Sequence, residues 1–495
     1  MRLHAIAAVL LFGLVALAGC SGNGGKDDDA DDGTTPAAMA GYVRDCSIGA
    51  NGWSEPCLAL ASPNDSPSKA EVDLVVNPTD PLNVVVASKD LDPLASDCVW
   101  AVVEATKDGG KTWTTSYIGG PAGERAPGNL LYGFHCITDP IMVFGEDGTL
   151  YYNLQVYEHD ADKLLPDAVT SLLPAEPDVA LMVLAISHDG GLSWPDLVLE
   201  FAGDDVTVFP DYMRMGTNPA TGTVFAQWNT ITGLAVSQPT VVRYDPNLPQ
   251  QPPLATTTPW FFVTPESPTG LGESGVVGAD DGTVYSFLCG FNSGGQCFTS
   301  TSTDDGLSWS VPAHRFDFTP MADELEDAAF RVGTAVEVAI DRSGGPDEGC
   351  LHAVWSDGSA DRGDILARKS CDGGATWSEP VLVSTGPHDD AQFFPRVSVD
   401  GRGAVHVVYL TRAHDPAHHL VDADWAVSVD GGATWETMRL TASSFDGDLG
   451  IHQNGFPFLG DYIGIGAVGD DVYMGFPSTV TGRAEIAVAH VAYQG

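Results

Sequence analysis

Ser370-Cys-Asp-Gly-Gly-Ala-Thr-Trp377 is one of five copies of an eight-residue pattern, Ser/Thr-x-Asp-x-Gly-x-Ser/Thr-Trp. The others run from Thr106 to Trp113, Ser187 to Trp194, Ser302 to Trp309 and Ser428 to Trp435. In each copy the leading hydroxyl and the carboxylate (Asp108, Asp189, Asp304, Asp372 or Asp430) are spaced to accept hydrogen bonds from nearby backbone amides. The Gly supplies a positive φ and the Trp covers the turn with apolar surface. That is the chemistry of a rigid hairpin turn, and the positions of the five copies divide the chain into units. The interval from Trp194 to Trp309 is long enough for two units, so one lacking the pattern is expected there. Gly222-Thr-Val-Phe-Ala-Gln-Trp228, Thr240-Val-Val-Arg-Tyr244 and Trp260-Phe-Phe-Val263 supply its strands.

Apolar or alternating runs of strand length, bounded by Gly, Asp, Asn and Pro, recur throughout, and helical periodicity is almost absent. Aligned on the short turn after the first strand, the units begin at Glu71-Val-Asp73, Asp139-Pro-Ile141, Asp211-Tyr-Met-Arg214, Glu273-Ser-Gly275, Arg331-Val-Gly333, Arg396-Val-Ser398 and Asp461-Tyr-Ile463. The eight-residue pattern resembles the Asp-box, or BNR repeat, of sialidase-like β-propellers. The expected fold is all-β: a single propeller of four-stranded antiparallel blades over residues 41–495. Seven blades are counted, or six if the first or last unit is not a full blade; true sialidases have six. The last unit shows three strands, ending near Ala484-Glu-Ile-Ala-Val-Ala-His490, and the segment from Gly41 to Leu60 is expected to supply its fourth. Glu71 to Val86 resembles the opening blade, and Gly460-Asp-Tyr-Ile-Gly464 the closing one, of a broad group of secreted propellers of this kind.

The N-terminus reads as an export signal. An apolar run from Ala5 to Ala18, too short to span a membrane, ends in Leu17-Ala-Gly-Cys20. This resembles a lipobox: residues 1–19 would be a lipoprotein signal peptide, Cys20 the lipidated residue, and 20–40 a flexible acidic tether. Export agrees with the cysteines, since nine less Cys20 leaves an even number. Sequence neighbours suggest Cys46 with Cys57, Cys98 with Cys136, Cys289 with Cys297 and Cys350 with Cys371. The last two pairs would each clip a hairpin.

A formal charge of −45, from 67 acidic and 22 basic residues, excludes nucleic acid as a partner. Membrane attachment is therefore expected through lipid. So much carboxylate suits calcium, although no EF-hand loop is present and no cofactor is otherwise implied. His414-Asp-Pro-Ala-His-His419 gathers ligand types for zinc or copper on one loop, but Pro416 restricts wrapping around an ion and no metal is assigned. A second long excursion, His159 to Pro177, leaves the second unit.

In such a propeller the Asp-boxes lie at the periphery of one face, and the starts of the inner strands converge on the axis at the other. The expected ligand contacts are Arg331, Arg396, Arg214, Asp211, Glu273 and Asp461. The sialidase resemblance implies an Arg triad clamping a carboxylate, a Tyr nucleophile activated by a Glu, and an Asp acid/base. Arg331 and Arg396 would be two of the guanidiniums, Tyr462 or Tyr212 the phenol, and Asp73 or Asp139 the acid. The family's Phe/Tyr-Arg-Ile-Pro motif is missing, and Tyr42-Val-Arg44-Asp45 stands in its place. Phe393-Phe394 and Phe456-Pro-Phe458 precede inner strands, where they would stack on sugars or pack between blades.

The resulting expectation is an exported, lipid-anchored propeller that binds glycans or other surface ligands at its axial funnel without catalysis. The alternatives are an exo-acting glycoside hydrolase of the sialidase type and an envelope assembly scaffold. Cys20→Ala should move the protein from the membrane fraction to the soluble one, checked by fractionation and gel mobility. A variant that stays membrane-bound at unchanged mobility contradicts the lipobox.

Overall fold

The computed structural model describes residues 52–495 apart from 62–68, 91–99, 119–129, 132–133, 135, 159–178, 205–207, 233–235, 249–252, 257–271, 291–294, 326, 334–335, 360–362, 386–389 and 454–455. The signal peptide, Cys20, the tether and the excursion 159–177 thus lie outside the described residues. Seven four-stranded antiparallel sheets make seven blades. Their innermost strands are Lys69–Asn77, Cys136–Phe144, Val208–Thr217, Gly272–Gly278, Val336–Ile340, Gln392–Val399 and Gly464–Val468. Each packs beside the inner strand of the next blade, and the ring closes from blade 7 back to blade 1. The fourth strand of blade 7 is Cys57–Leu60, from the N-terminal side of the chain, paired with Glu485–Ala492 from Cys57 opposite His490 to Leu60 opposite Ala487. Trp53 extends this closure onto blade 6, edge-on to Trp425 with ring centroids 5.2 Å apart.

Blades stack face to face, so their middle strands are covered on both sides and read as continuous apolar runs rather than alternating ones. Trp100–Thr106, Leu351–Asp357, Val405–Thr411 and Asp422–Ser428 are buried at every residue. Outer strands such as Thr114–Tyr117 are short, polar and partly exposed. Where blade 7 meets blade 1 the backbones approach closely. A Cβ on Gly464 would lie 2.3 Å from the Leu74 amide nitrogen, and one on Gly460 2.5 Å from that of Glu71, so only glycine fits at either position.

The boxes join third strands to fourth, as expected, but their Trp residues do more than cover the turn. Within a box, Asp372 Oδ1 accepts the Thr376 amide at 2.9 Å, its Oδ2 accepts the Thr376 hydroxyl at 2.6 Å, and Ser370 Oγ accepts the Gly374 amide at 2.9 Å. These bonds hold the Trp toward the preceding blade. Trp194 of blade 2 donates from Nε1 to Ser116 Oγ of blade 1 at 3.1 Å, Trp309 of blade 4 meets Phe225 of blade 3 edge-on, and Trp377 of blade 5 packs on Phe287 and Phe316 of blade 4. In the third box Asp305 holds the positive φ that Gly has elsewhere. Its carboxylate accepts from Asn218, Thr221, Thr223 and Arg243 of blade 3, the unit without a box.

Blade 3 corrects one strand: its fourth is Leu254–Thr256, and Trp260–Val263 lies outside the described residues. Blade 5 corrects another, since its inner strand starts at Val336, whereas Arg331 pairs with Glu324 in an isolated bridge ahead of it. Disulfides join Cys289 to Cys297 and Cys350 to Cys371, each clipping second and third strands. Cys57 and Cys136 are also disulfide-bonded, and Cys46 and Cys98 lie outside the described residues.

If the box tryptophans seal the seams, Trp194→Ala, at a residue only 8% exposed, should lower stability by about 3–5 kcal/mol. Leu192→Ala at the exposed tip of the same turn should change it by less than about 0.5 kcal/mol. Urea unfolding of both variants checks the contrast, and equal shifts would contradict it.

Candidate functional site

Four inner strands share one irregularity. Their pairing slips between Ala70 and Asp73, Thr138 and Ile141, Asp211 and Arg214, and Phe393 and Arg396. Inside each bulge one residue without glycine's freedom takes a positive φ: Glu71, Asp139, Tyr212 and Phe394. A bulge re-aims the side chains that follow it. Here it splits the axial residues into two tiers.

The deeper tier is a charge-balanced ring. Three steps from the turn in blades 1, 3, 5 and 6 stand Asp73, Arg214, Glu337 and Arg396. Arg214 donates from Nε at 3.0 Å and Nη2 at 2.5 Å to Glu337 Oε1. Arg396 reaches the same oxygen from Nη1 at 3.0 Å and Asp73 Oδ1 from Nη2 at 3.2 Å, while Asp73 Oδ2 accepts the Met142 amide at 2.7 Å. Burial alone would raise the Glu337 carboxyl, but the two guanidiniums outweigh it and hold it low. At Asp73 burial wins over Arg396 and raises the carboxyl. Blade 4 places Gly275 at this level, and a Cβ there would meet open space.

The upper tier forms the mouth. Lys89 Nζ sits 2.5 Å from Glu71 and 2.6 Å from Asp139, above the Phe458 ring. Arg331 donates from Nε to Asp461 Oδ1 at 2.8 Å and from Nη2 to Oδ2, and also lies over Phe458. Burial pushes Glu71 well above the usual range against the pull of Lys89. Asp139, buried as well, is held low by Lys89. Burial, reinforced by the Asp139 and Asp461 charges, pushes Asp211 up to about 7. Among the described residues, five acids (Glu71, Asp139, Asp211, Asp323 and Asp461) thus share the mouth with two cations, Lys89 and Arg331.

The structure brings Asp73, Arg214 and Arg396 together, and separately Asp139, Asp211, Arg331, Asp461 and Tyr212. Glu273 opens the blade 4 strand, and its side chain lies outside the described residues. Both arginines expected to meet an anionic ligand are paired with acids distant in sequence: Asp461 takes Arg331, and Glu337 with Asp73 takes Arg396. Of the two phenols proposed, Tyr212 lies in the bulge between Asp211 and Arg214, close enough to Arg331 to act on its charge. Tyr462 is buried under Arg214, donates to the Pro140 carbonyl at 3.2 Å, and has its phenol pushed well up by burial, the reverse of an activated nucleophile. Phe393 and Phe394 are buried against Phe330 and each other, so the packing alternative holds for them, while Phe458 lies beneath Lys89 and Arg331 at the mouth and the Phe456 side chain lies outside the described residues. Sequence reasoning missed Glu337 and Lys89; the signal was a single charge inside or ending an apolar run, Val336-Glu-Val-Ala-Ile340 and Val84-Val-Val-Ala-Ser-Lys89.

The loop histidines disperse. His414 Nε2 meets Asp424 at 2.7 Å, His418 Nδ1 meets the buried Asp390, and His419 turns toward Asp446. Asp415 is consumed by the loop backbone, accepting the amides of Ala417, His419 and Leu420. Off the axis, a depression of about 360 Å³ between blades 4 and 5 is lined by Phe318, Trp355, Asp357 and Arg368. Both of its acids are occupied: Asp357 Oδ2 accepts Trp355 Nε1 at 2.8 Å, and Asp317 Oδ1 meets His314 Nε2 at 2.8 Å.

No family model matches the chain, and no curated protein does. Among solved structures it is similar to a protein of unknown function from Dyadobacter fermentans, at 14% identity and a TM-score of 0.46 over 90% of this chain and 100% of that one. The fold is a seven-bladed β-propeller. It is similar also to the Hadza microbial sialidase Hz136 (15% identity, TM-score 0.46, 83% of this chain and 74% of that one) and to a leech intramolecular trans-sialidase (12%, 0.45, 76% and 69%). These likenesses concern fold alone.

The mouth gives a pH signature. Because Asp211 is raised above its unfolded value of about 3.9, the folded state holds the extra proton, and this group makes stability fall as pH rises from about 4 through about 7. Asp211→Asn removes that penalty. The melting temperature of the variant relative to the parent should therefore climb across this window in a calorimetric pH series, and parallel curves would contradict the assignment.

Proposed function

We propose that this chain is an exported, lipid-anchored propeller that binds neutral or amine-bearing carbohydrate at the acidic axial mouth without turning it over. The observation that carries the reading is that, among the described residues, each axial guanidinium is engaged by a carboxylate while acids outnumber cations at the mouth. A carboxylate-bearing sugar needs an open Arg fork. Hydroxyls and ammonium groups instead find acceptors here, and the aromatic floor at Phe458 is already covered by Lys89 and Arg331.

A second reading rests on one pair of groups. Asp139 is held ionised by Lys89 and Asp211 stays protonated to about pH 7, and two carboxyls pushed apart are the acid–base pattern of many glycosidases. Under it the chain is a hydrolase of neutral glycosides.

A glycan array followed by titration calorimetry tests the binding reading, with fluorogenic sialosides and neutral glycosides as substrates. The expected result is binding of neutral or amino glycans, no sialoside turnover, and affinity unchanged or improved in Arg331→Ala. Recognition of acidic sugars with about a tenfold or greater loss in Arg331→Ala would overturn it. Turnover of a neutral glycoside, abolished in Asp211→Asn, selects the hydrolase.

A further inference from the structure

His419 and the pair Asp446 and Asp448 come from two separate segments and point at one spot. His419 sits on the loop joining second and third strands of blade 6, and the two acids on the connection into blade 7. One ligand atom from each lies within 4.8 Å of the others, in a patch that solvent reaches, with side chains 42% exposed at His419 and 37% at Asp446.

The hydrogen bonds around the trio fix which atoms face inward. His419 Nδ1 lies 3.2 Å from the Asp327 carbonyl oxygen, which can only accept, so Nδ1 carries the proton. In the neutral imidazole the lone pair is then on Nε2, aimed at Asp446 Oδ1, an oxygen that also accepts the Asp448 amide at 3.0 Å and is steadied by it. Two acceptors face each other there at 3.7 Å. That separation is too long for a proton to bridge as a hydrogen bond. It suits an ion between them, since two donors each about 2.0–2.2 Å from zinc stand about 3.3–3.6 Å apart at a tetrahedral angle. Asp448 is held by the Ala329 amide, which donates to its Oδ1 at 2.7 Å. A ring N–H given to a backbone carbonyl and a carboxylate steadied by an amide are the outer contacts that orient metal ligands.

We propose that His419, Asp446 and Asp448 form a zinc site on the axial face, with water in the fourth position. One imidazole nitrogen and two carboxylates suit zinc, whereas calcium asks for six to eight oxygens. The ion would tie three connections together, because Asp327 and Ala329 belong to the segment between blades 4 and 5. Of the three loop histidines only His419 takes part, since His414 and His418 each face a different carboxylate.

The test is calorimetric titration of the full chain with zinc chloride after chelator treatment, beside His419→Ala, Asp448→Asn and His414→Ala. So acidic a surface also takes up zinc weakly, so the difference from His419→Ala isolates this site. The expected result is one zinc per chain that raises the melting temperature. Affinity should fall at least about tenfold in His419→Ala and Asp448→Asn and stay unchanged in His414→Ala. Cobalt(II) should give the visible bands of a four-coordinate nitrogen and oxygen site, absent in His419→Ala. Because His419 is on an exposed loop, its variant keeps the test open even if Asp448→Asn fails to fold. Zinc binding that is undetectable, equal in His419→Ala, or matched by calcium or magnesium would overturn the proposal.

Discussion

Pairing of Cys57–Leu60 with Glu485–Ala492 is the constraint on which the rest depends. Without it the third strand of blade 7 would be an open edge and the seventh blade would lack its outer cover. The ring could then part at the one seam with no covalent continuity between blades. The Ala492 amide donates to Ser54 Oγ at 3.0 Å across 438 residues of chain, so closure is among the least local contacts in the molecule. Such contacts are costly in loop entropy and form late. They are reinforced here by Trp53 against blade 6. Closure also forces the backbones of blades 7 and 1 together, which is why Gly460 and Gly464 stand where side chains would collide.

Closing the ring brings the inner strands into a region of low dielectric, and charges placed there must be paired. Arg214, Arg396, Glu337 and Asp73 satisfy that requirement among themselves, with two positive and two negative groups in one tier. A guanidinium left open for a ligand would carry a desolvation cost at this depth that nothing else in the tier offsets. The chemistry available to a ligand is therefore that of the upper tier, where acids prevail and Arg331 is side-on to solvent in its pair with Asp461.

What the sequence revealed was local. The Asp-boxes, the hairpin disulfides Cys289–Cys297 and Cys350–Cys371, the unit lacking a box and the count of seven blades rest on contacts between residues near in sequence, or on their repetition. The axial pairs join residues 123, 130 and 323 positions apart, and no local pattern announces that Arg214 meets Glu337, Arg331 meets Asp461, or Arg396 meets Asp73. Blade 5 shows the limit sharply. Arg331-Val-Gly-Thr-Ala-Val336 aligns with the other strand starts, yet the strand begins five residues later and puts Glu337 at the axis. The three histidines of one loop behave in the opposite sense: neighbours in sequence, they are directed to three separate carboxylates.

The two faces of the propeller consequently carry different burdens. On the box face each Trp locks its turn onto the preceding blade, so the periphery there is committed to holding blades in order. On the opposite face the bulges at Glu71, Asp139, Tyr212 and Phe394 hold a strained backbone that persists only because neighbouring blades over-determine it. Changing those residues would disturb the seams as well as the mouth. The connections above them are under no such double constraint. The loop of His414 to His419 and the segments carrying Asp327 and Asp446 meet through the His419 ring, which reaches the Asp327 carbonyl and Asp446, beside a backbone bridge between Val421 and Phe445. In this architecture specificity for a ligand can be retuned in the loops while the paired tier beneath keeps the axis electrically quiet.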